Sequence, residues 1–216
     1  MKKTILAFAI CAGFLACNEA PKADATTTTD ATTAAAGTGT TYNVDSTSTV
    51  SFVGTKPTGT HTGNFKVSQG SFAIADNNIT SGSFTIDVNS LFVTDLKGEE
   101  KGQLEGHLKS PDFFDAAKYA TAKFEVTNVA PYDSAKATSL LPGATHIISG
   151  NLTLKDSTKN VSFPAKVAVA DNMVTAAADF NIDRTLWGLN YKGPNNPTDW
   201  VIKKEVNLKL NIVAKK

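Results

Sequence analysis

Three histidines, one Asp-Arg dipeptide and a cysteine are the side chains in this 216-residue sequence whose types and spacing could do chemistry. His61, His107 and His146 could in principle ligate a metal, but no two lie within a turn or hairpin spacing and no cysteine accompanies them, so no metal site is expected. His61 and His107 read as hydrogen-bonding groups or satisfied surface residues; His146 carries no functional signal. Asp183 and Arg184 close a stretch that contains Phe180 and Ile182. A guanidinium there could grip a phosphate or carboxylate bidentately, or the pair could tie a strand end to a loop; the sequence leaves both open. Catalysis needs a nucleophile with a base, or paired carboxylates. The chain has no Gly-x-Ser-x-Gly elbow, no His-Glu-x-x-His helix and no phosphate-cradling glycine loop, so no enzyme is expected and no catalytic residue is assigned. A net charge of +1 points to neither nucleic acid nor an acidic partner.

Cys17 belongs to a different chemistry. Lys2 and Lys3 precede an apolar run, Thr4 to Ala16, that is too short to span a bilayer comfortably, which is the pattern of an export signal over residues 1–17. Phe14-Leu15-Ala16-Cys17 resembles a bacterial lipobox, whose cysteine is lipidated and becomes the first residue. Cys11 would leave with the signal, so no internal disulfide is expected. The alternative is an ordinary signal peptide with a spare cysteine. Lipidation of Cys17 implies a membrane partner and a place in the bacterial cell envelope, on the outer membrane and facing the periplasm or the surface. Residues 18–41 are nearly all Ala, Thr, Asp, Gly and Pro without apolar periodicity, and are expected to be a disordered tether.

The elements that must position these groups start after Tyr42, where the pattern turns to period two. Trp200, Ile202, Val206, Leu208, Leu210 and Ile212 share one parity, and Lys203, Glu205, Asn207, Lys209 and Asn211 the other. Such alternation marks strands with one dry face. It recurs in Val161 to Val169 and in Val174 to Ile182, with Asp171-Asn172 as the hairpin turn between them. About eight amphipathic antiparallel strands over residues 42–216 can hide their dry faces by closing into an all-β barrel, whose interior is just wide enough to be filled or to hold one ligand. A two-sheet sandwich is the alternative. Ala165, Ala176, Ala178 and Gly150 are small residues at inward positions, which predicts an underfilled, apolar cavity. One short helical insertion is expected to start at Ser110-Pro111-Asp112 and to carry Phe113 and Phe114, two rings that need cover.

The order of motifs is similar to the YceI family of secreted, lipocalin-like proteins. The likeness is carried by Tyr42-Asn43-Val44-Asp45 with Val50-Ser51-Phe52, by His61 with Gly63 and Phe65, by Glu105 to Phe124, and by Gly150 to Lys155 together with Asp183-Arg184 and Trp187-Gly188. Ala120, Asp156 and Glu105 depart from the family's usual residues. The resemblance implies an extended barrel whose tunnel binds a polyisoprenoid or fatty-acid-like lipid, with no other cofactor. The tail would be shared among Phe52, Phe65, Phe84, Phe113, Phe114, Phe124, Phe163 and Phe180, with Ile86, Leu152, Val167 and Leu210. His61, His107, Asp183 and Arg184 are the candidates for the head group, and Trp187-Gly188 is expected to close the barrel end. A homodimer is left open. Two rival readings are a filled barrel that serves as a protein-interaction module and a lipid hydrolase.

Overall fold

A computed structural model describes residues 19–194 and 201–216. Cys17 and Trp200 lie outside the described residues. Eleven strands form the sheet: β1 (Asp24–Ala25), β2 (Thr27–Asp30), β3 (Thr40–Val44), β4 (Thr49–Lys56), β5 (Gly59–Ala75), β6 (Asn78–Val93), β7 (Thr121–Pro131), β8 (His146–Leu154), β9 (Ser157–Ala170), β10 (Met173–Asp183) and β11 (Glu205–Lys215). Strands β4 to β11 pair antiparallel in sequence order, and β11 returns to pair β4, which closes an eight-stranded barrel. The short β3 continues the wall beyond β4, between β11 and β5. Every strand pair in the closed wall is antiparallel, and the period-two pattern places one parity inside except where register irregularities in the β5–β6 and β7–β8 pairings interrupt it. In β10, for example, Val174, Ala176, Ala178, Phe180 and Ile182 are buried and alternate with partly exposed neighbours.

One seam in this wall is incomplete. β9 and β10 pair from the Ala170–Met173 turn only as far as Lys166 and Ala177. Pro164 follows two residues further along β9, and a proline has no N–H with which to continue a ladder. Into the gap runs the chain's own N-terminal segment: β1 pairs parallel with β10 at Phe180 and Asn181, and β2 pairs antiparallel with β9 from Lys159 to Ser162. The segment then crosses the outside of the barrel. Asn151 both donates to the Thr32 carbonyl (2.6 Å) and accepts from the Thr32 N–H (3.1 Å), Ala35 N–H donates to the Val126 carbonyl, and the Thr80 hydroxyl donates to the Thr38 carbonyl.

The expectation of a disordered tether over 18–41 is therefore corrected for its described part. A polar, periodless stretch cannot build a core of its own, but it can add backbone hydrogen bonds to strand edges that lack partners. The sequence signal that could have found it is the asparagines at outward strand positions. Asn151 and Asn160 are buried under this belt, and Asn181 donates to the Pro21 carbonyl (2.9 Å).

The helix also differs from expectation. α1 spans Gly98–Lys109 and ends where the sequence suggested a start, with Ser110 as its C-terminal cap. Pro111 sits just beyond, where proline stops a helix. Residues 110–119 are tight turns, with Asp115 at φ 49° and the Phe114 and Ala116 N–H groups donating to the Leu108 and Lys109 carbonyls. α1 escaped notice because it has no apolar stripe, three glycines and no buried residue. Its charge order was readable: Glu99 and Glu100 in the first turn and His107 and Lys109 in the last complement the helix dipole.

Candidate functional site

The barrel encloses a cavity of about 250 Å³, lined almost wholly by apolar side chains. That exceeds the roughly 150 Å³ of an apolar cavity able to take benzene and falls just short of the roughly 300–1,000 Å³ of drug-sized pockets. Eleven of the twelve side chains expected to hold a tail line it: Phe52, Phe65, Phe84, Ile86, Phe113, Phe114, Phe124, Leu152, Phe163, Phe180 and Leu210. Val167 does not; it is buried in the core with the inward parity expected of it, away from the cavity wall. The small-residue expectation holds for Ala165, Ala176 and Ala178, which all line the space. Gly150 contributes none, because the Phe124 ring already occupies the place where its side chain would stand. Val206, Leu208, Leu210 and Ile212, at one parity of β11, line the wall together, as do Val50 and Val126.

The two ends of the lumen differ. At the end near Asp171 the barrel is shut by Tyr42, whose hydroxyl donates to the Asp171 carbonyl (3.0 Å), and by Phe72 packed edge-on against Phe84. Further in, Phe163 and Phe180 stack with centroids 4.0 Å apart. At the other end lie α1, the turns after it and the loop that follows β10. Leu104 and Leu108 of α1 and both Phe113 and Phe114 reach the cavity, and Phe114 meets Phe65 edge-to-face at 5.5 Å. The two phenylalanines thus line the tunnel and do not merely clasp the outside of the sheet.

The four head-group candidates take separate places. His61 lines the cavity, and its Nδ1 is 2.8 Å from Oδ2 of Asp95. Burial pushes the Asp95 carboxyl up, but the Thr62 N–H and His61 outweigh it and hold it below the usual carboxylate range. His107 stands outside, 3.0 Å from Asp112, with its ring against Phe113 and Tyr191. Asp183 does not face the lumen; it caps the 3-10 turn Arg184–Trp187 by accepting from the Thr185 N–H, and pairs with Lys204 at 3.0 Å. Burial raises its carboxyl, and these donors more than reverse the effect.

Arg184 is 4% exposed and lines the cavity. Its Nε donates to the Lys203 carbonyl, its NH1 to the Leu189 carbonyl, and its NH2 to the Tyr191 and Ile202 carbonyls. Burial pulls its pKa below the ordinary arginine value, and Asp183 partly restores it. The loop that follows β10 is thus gathered onto one guanidinium. Trp187, 1% exposed, donates its indole N–H to the Leu152 carbonyl (2.8 Å) and packs the barrel end without touching the cavity. Sequence reasoning missed Thr55 and Lys56, which line the cavity beside His61 and Arg184. Neither residue type stands out in an alternating strand. Among the described residues no three His, Cys, Asp or Glu side chains converge as a metal site requires.

A closed antiparallel barrel around an apolar cavity, with a helical cover at one end, defines a lipocalin-like protein. The YceI-like domain model matches residues 42–214, and the chain belongs to the YceI family. Among solved structures it is similar to BcnA of Burkholderia cenocepacia (26% identity, TM-score 0.60, covering 80% of this chain and 99% of that one). It is also similar to a polyisoprenoid binding domain from Saccharophagus degradans implicated in plant cell wall breakdown (20% identity, TM-score 0.58, covering 81% and 97%). No curated protein matches the chain.

Proposed function

We propose that this protein binds a long-chain isoprenoid or similar amphiphile, its tail in the barrel and its head at the α1 end, and carries it in the envelope without chemical turnover. The observation that supports this most directly is the apolar cavity of about 250 Å³ walled by eight strands. Desolvation of a tail is non-directional and scales with area, so a wall of shared aliphatic and aromatic groups suits it better than one specific contact. The polyisoprenoid binding neighbour from Saccharophagus degradans supports the same ligand class. A filled barrel acting only through its outer surface would have no use for the space left by Ala165, Ala176 and Ala178. A tail longer than the cavity has to displace α1 or the turns after it.

The membrane anchor in this reading is a lipid on Cys17. The belt is already docked at Pro21, so the four residue-to-residue steps from Cys17 allow a stand-off of only roughly 14 Å at full extension. The barrel wall would ride close to the bilayer.

Native mass spectrometry of the protein purified from envelopes tests the ligand: a bound species with the mass of a long-chain lipid is expected, and a barrel that is empty and takes up no farnesol overturns the reading. Gly54 lines the cavity and a side chain there would meet open space, so Gly54→Leu should lower farnesol binding about tenfold without unfolding the wall. For the anchor, Cys17→Ser is expected to release an exported soluble form; unchanged membrane fractionation rejects lipidation.

A further inference from the structure

We infer that the face of the barrel around the β9–β10 seam lies against a lipid bilayer, with Leu140 and Leu186 as its apolar contacts on either side of the docked belt. This rests on the anchor reading above, a lipid on Cys17, and adds which surface that anchor presents to the membrane.

The belt fixes where the chain leaves the barrel toward its N-terminus. Asn181 Nδ2 donates to the Pro21 carbonyl (2.9 Å), and the Asp24 carboxylate accepts from the Ser139 hydroxyl (2.6 Å) and the Leu140 N–H (2.8 Å). With Pro21 held, an anchor at Cys17 reaches roughly 14 Å and no further. The closed end of the barrel is beyond that range, because β10 runs from Met173 to Asp183 and the stretch from Asn181 back to Met173 is about 26 Å of strand. The opposite wall is beyond it too. β6 lies four strands from β10 in either direction, about 19 Å around the outside.

The surface within reach carries the apolar side chains such a contact needs. Among the described residues Phe92, Leu140, Met173 and Leu186 are the large hydrophobic side chains left exposed. Leu140, 60% exposed, shares a shallow cleft with Lys22, Ala23 and Asp179, directly beside the belt. Leu186, 43% exposed, lies on the 3-10 turn that follows β10 and packs beside β9. Of the other two, Phe92 is covered by the Lys101 ammonium and Met173 stands at the distant closed end. The neighbouring wall suits water instead, since β11 turns Lys209 and Asn211 outward. Charge does not oppose the contact. Beside the seam Asp24 is engaged as described, Asp30 pairs with Lys159 (3.0 Å) and Asp179 with Lys209 (3.3 Å), while Glu19, Lys22 and Lys166 are exposed, so the face has no excess negative charge to repel anionic lipids. β9 and β10 part toward the α1 end, so this orientation sets the mouth of the cavity at the edge of the bilayer, where a tail can enter with little exposure to water.

The test uses the mature lipidated protein in vesicles of phosphatidylethanolamine and phosphatidylglycerol that contain a head-group spin-labelled lipid as quencher. A fluorophore is placed on one introduced thiol at a time, the Cys17 thiol being blocked by its lipid: Leu140→Cys and Leu186→Cys on the proposed face, Ser83→Cys on β6 and Met173→Cys at the closed end. Quenching is expected to be several-fold stronger at the first two sites. Equal quenching at all four, or stronger quenching at Ser83→Cys or Met173→Cys, overturns the face. Asp24→Ala with Asn181→Ala, which unclamps the belt, should shrink the contrast, with farnesol binding reporting that the barrel is intact; a contrast that survives in full overturns the belt as what orients the barrel. Protein that washes off the vesicles overturns the anchor reading and this face with it, whereas protein that stays without a contrast overturns the face alone.

Discussion

Two covers close the same end of this barrel, and they are built by opposite means. The loop after β10 is held by buried groups: Arg184 gathers four carbonyls and Trp187 donates to Leu152. Helix α1 buries no residue, has no side-chain N-cap and contains Gly98, Gly102 and Gly106, each with open space where a side chain would stand. Each interior glycine costs a helix about 1 kcal/mol relative to alanine. What holds α1 down is the Glu105 carboxylate accepting from the Val93 N–H (2.8 Å), Lys101 over the Phe92 ring, the inner tips of Leu104 and Leu108, and at its C-terminal end the His107 ring against Phe113 and Tyr191 with the Phe114 and Ala116 N–H groups donating to its last carbonyls. The contrast teaches which cover opens. Local openings are drawn from the segments with fewest buried contacts, so under the proposed lipid-binding reading α1, and not the frame of residues held by Arg184, is the cover expected to open.

The sharpest way to break this contrast is to remove the frame. Arg184→Met leaves four carbonyls without their donor, and a loss of about 3 kcal/mol or more is expected in urea unfolding. If the variant loses less than about 1 kcal/mol, the loop is no frame. Removing the lid's inner contact should act otherwise: Leu104→Ala, on a half-buried side chain, is expected to cost about 1 kcal/mol in stability and to speed ligand release several-fold in stopped flow. Stiffening the lid is a smaller change of opposite sign. Gly102→Ala fits without a clash and should raise stability by about 0.5 to 1 kcal/mol, with slower hydrogen exchange over 98–109 and slower ligand exchange.

The smallest effect is in pH. The Asp183 carboxyl sits below its usual range, so between that value and the unfolded pKa of about 3.9 the unfolded chain holds more protons than the folded one. The stability it contributes is present above about pH 4 and lost as pH falls through the folded value. Asp183→Asn should flatten the fall in Tm between pH 5 and pH 2, and an unchanged slope would remove Asp183 from the frame's acid response.

Much of the site was legible before any coordinates, and unevenly so. The inward rows of β9, β10 and β11 were read from parity alone, and eleven of the twelve chosen side chains line the cavity. Val167 shows the limit: parity tells inside from outside but not which depth of the lumen is left open. Asp183 and Arg184 were seen as adjacent opposite charges with two roles. The structure shows both binding the loop after β10, and Arg184 also facing the cavity.

The sequence by itself determined the wall, because the two-residue period of a strand is local and the dry face must be hidden wherever the strand goes. It also determined the small residues that leave the wall underfilled. Only the tertiary structure decided what seals the barrel and what opens it. The N-terminal belt exists because Pro164 ends a ladder and β9 and β10 part, an event more than 120 residues away in sequence from Asp24 to Asp30. The place of α1 over one end of the cavity likewise depends on neighbours brought together by barrel closure. Hydrogen-bond partners far apart in the chain leave no periodic trace in it, whereas a buried face repeats at every second residue.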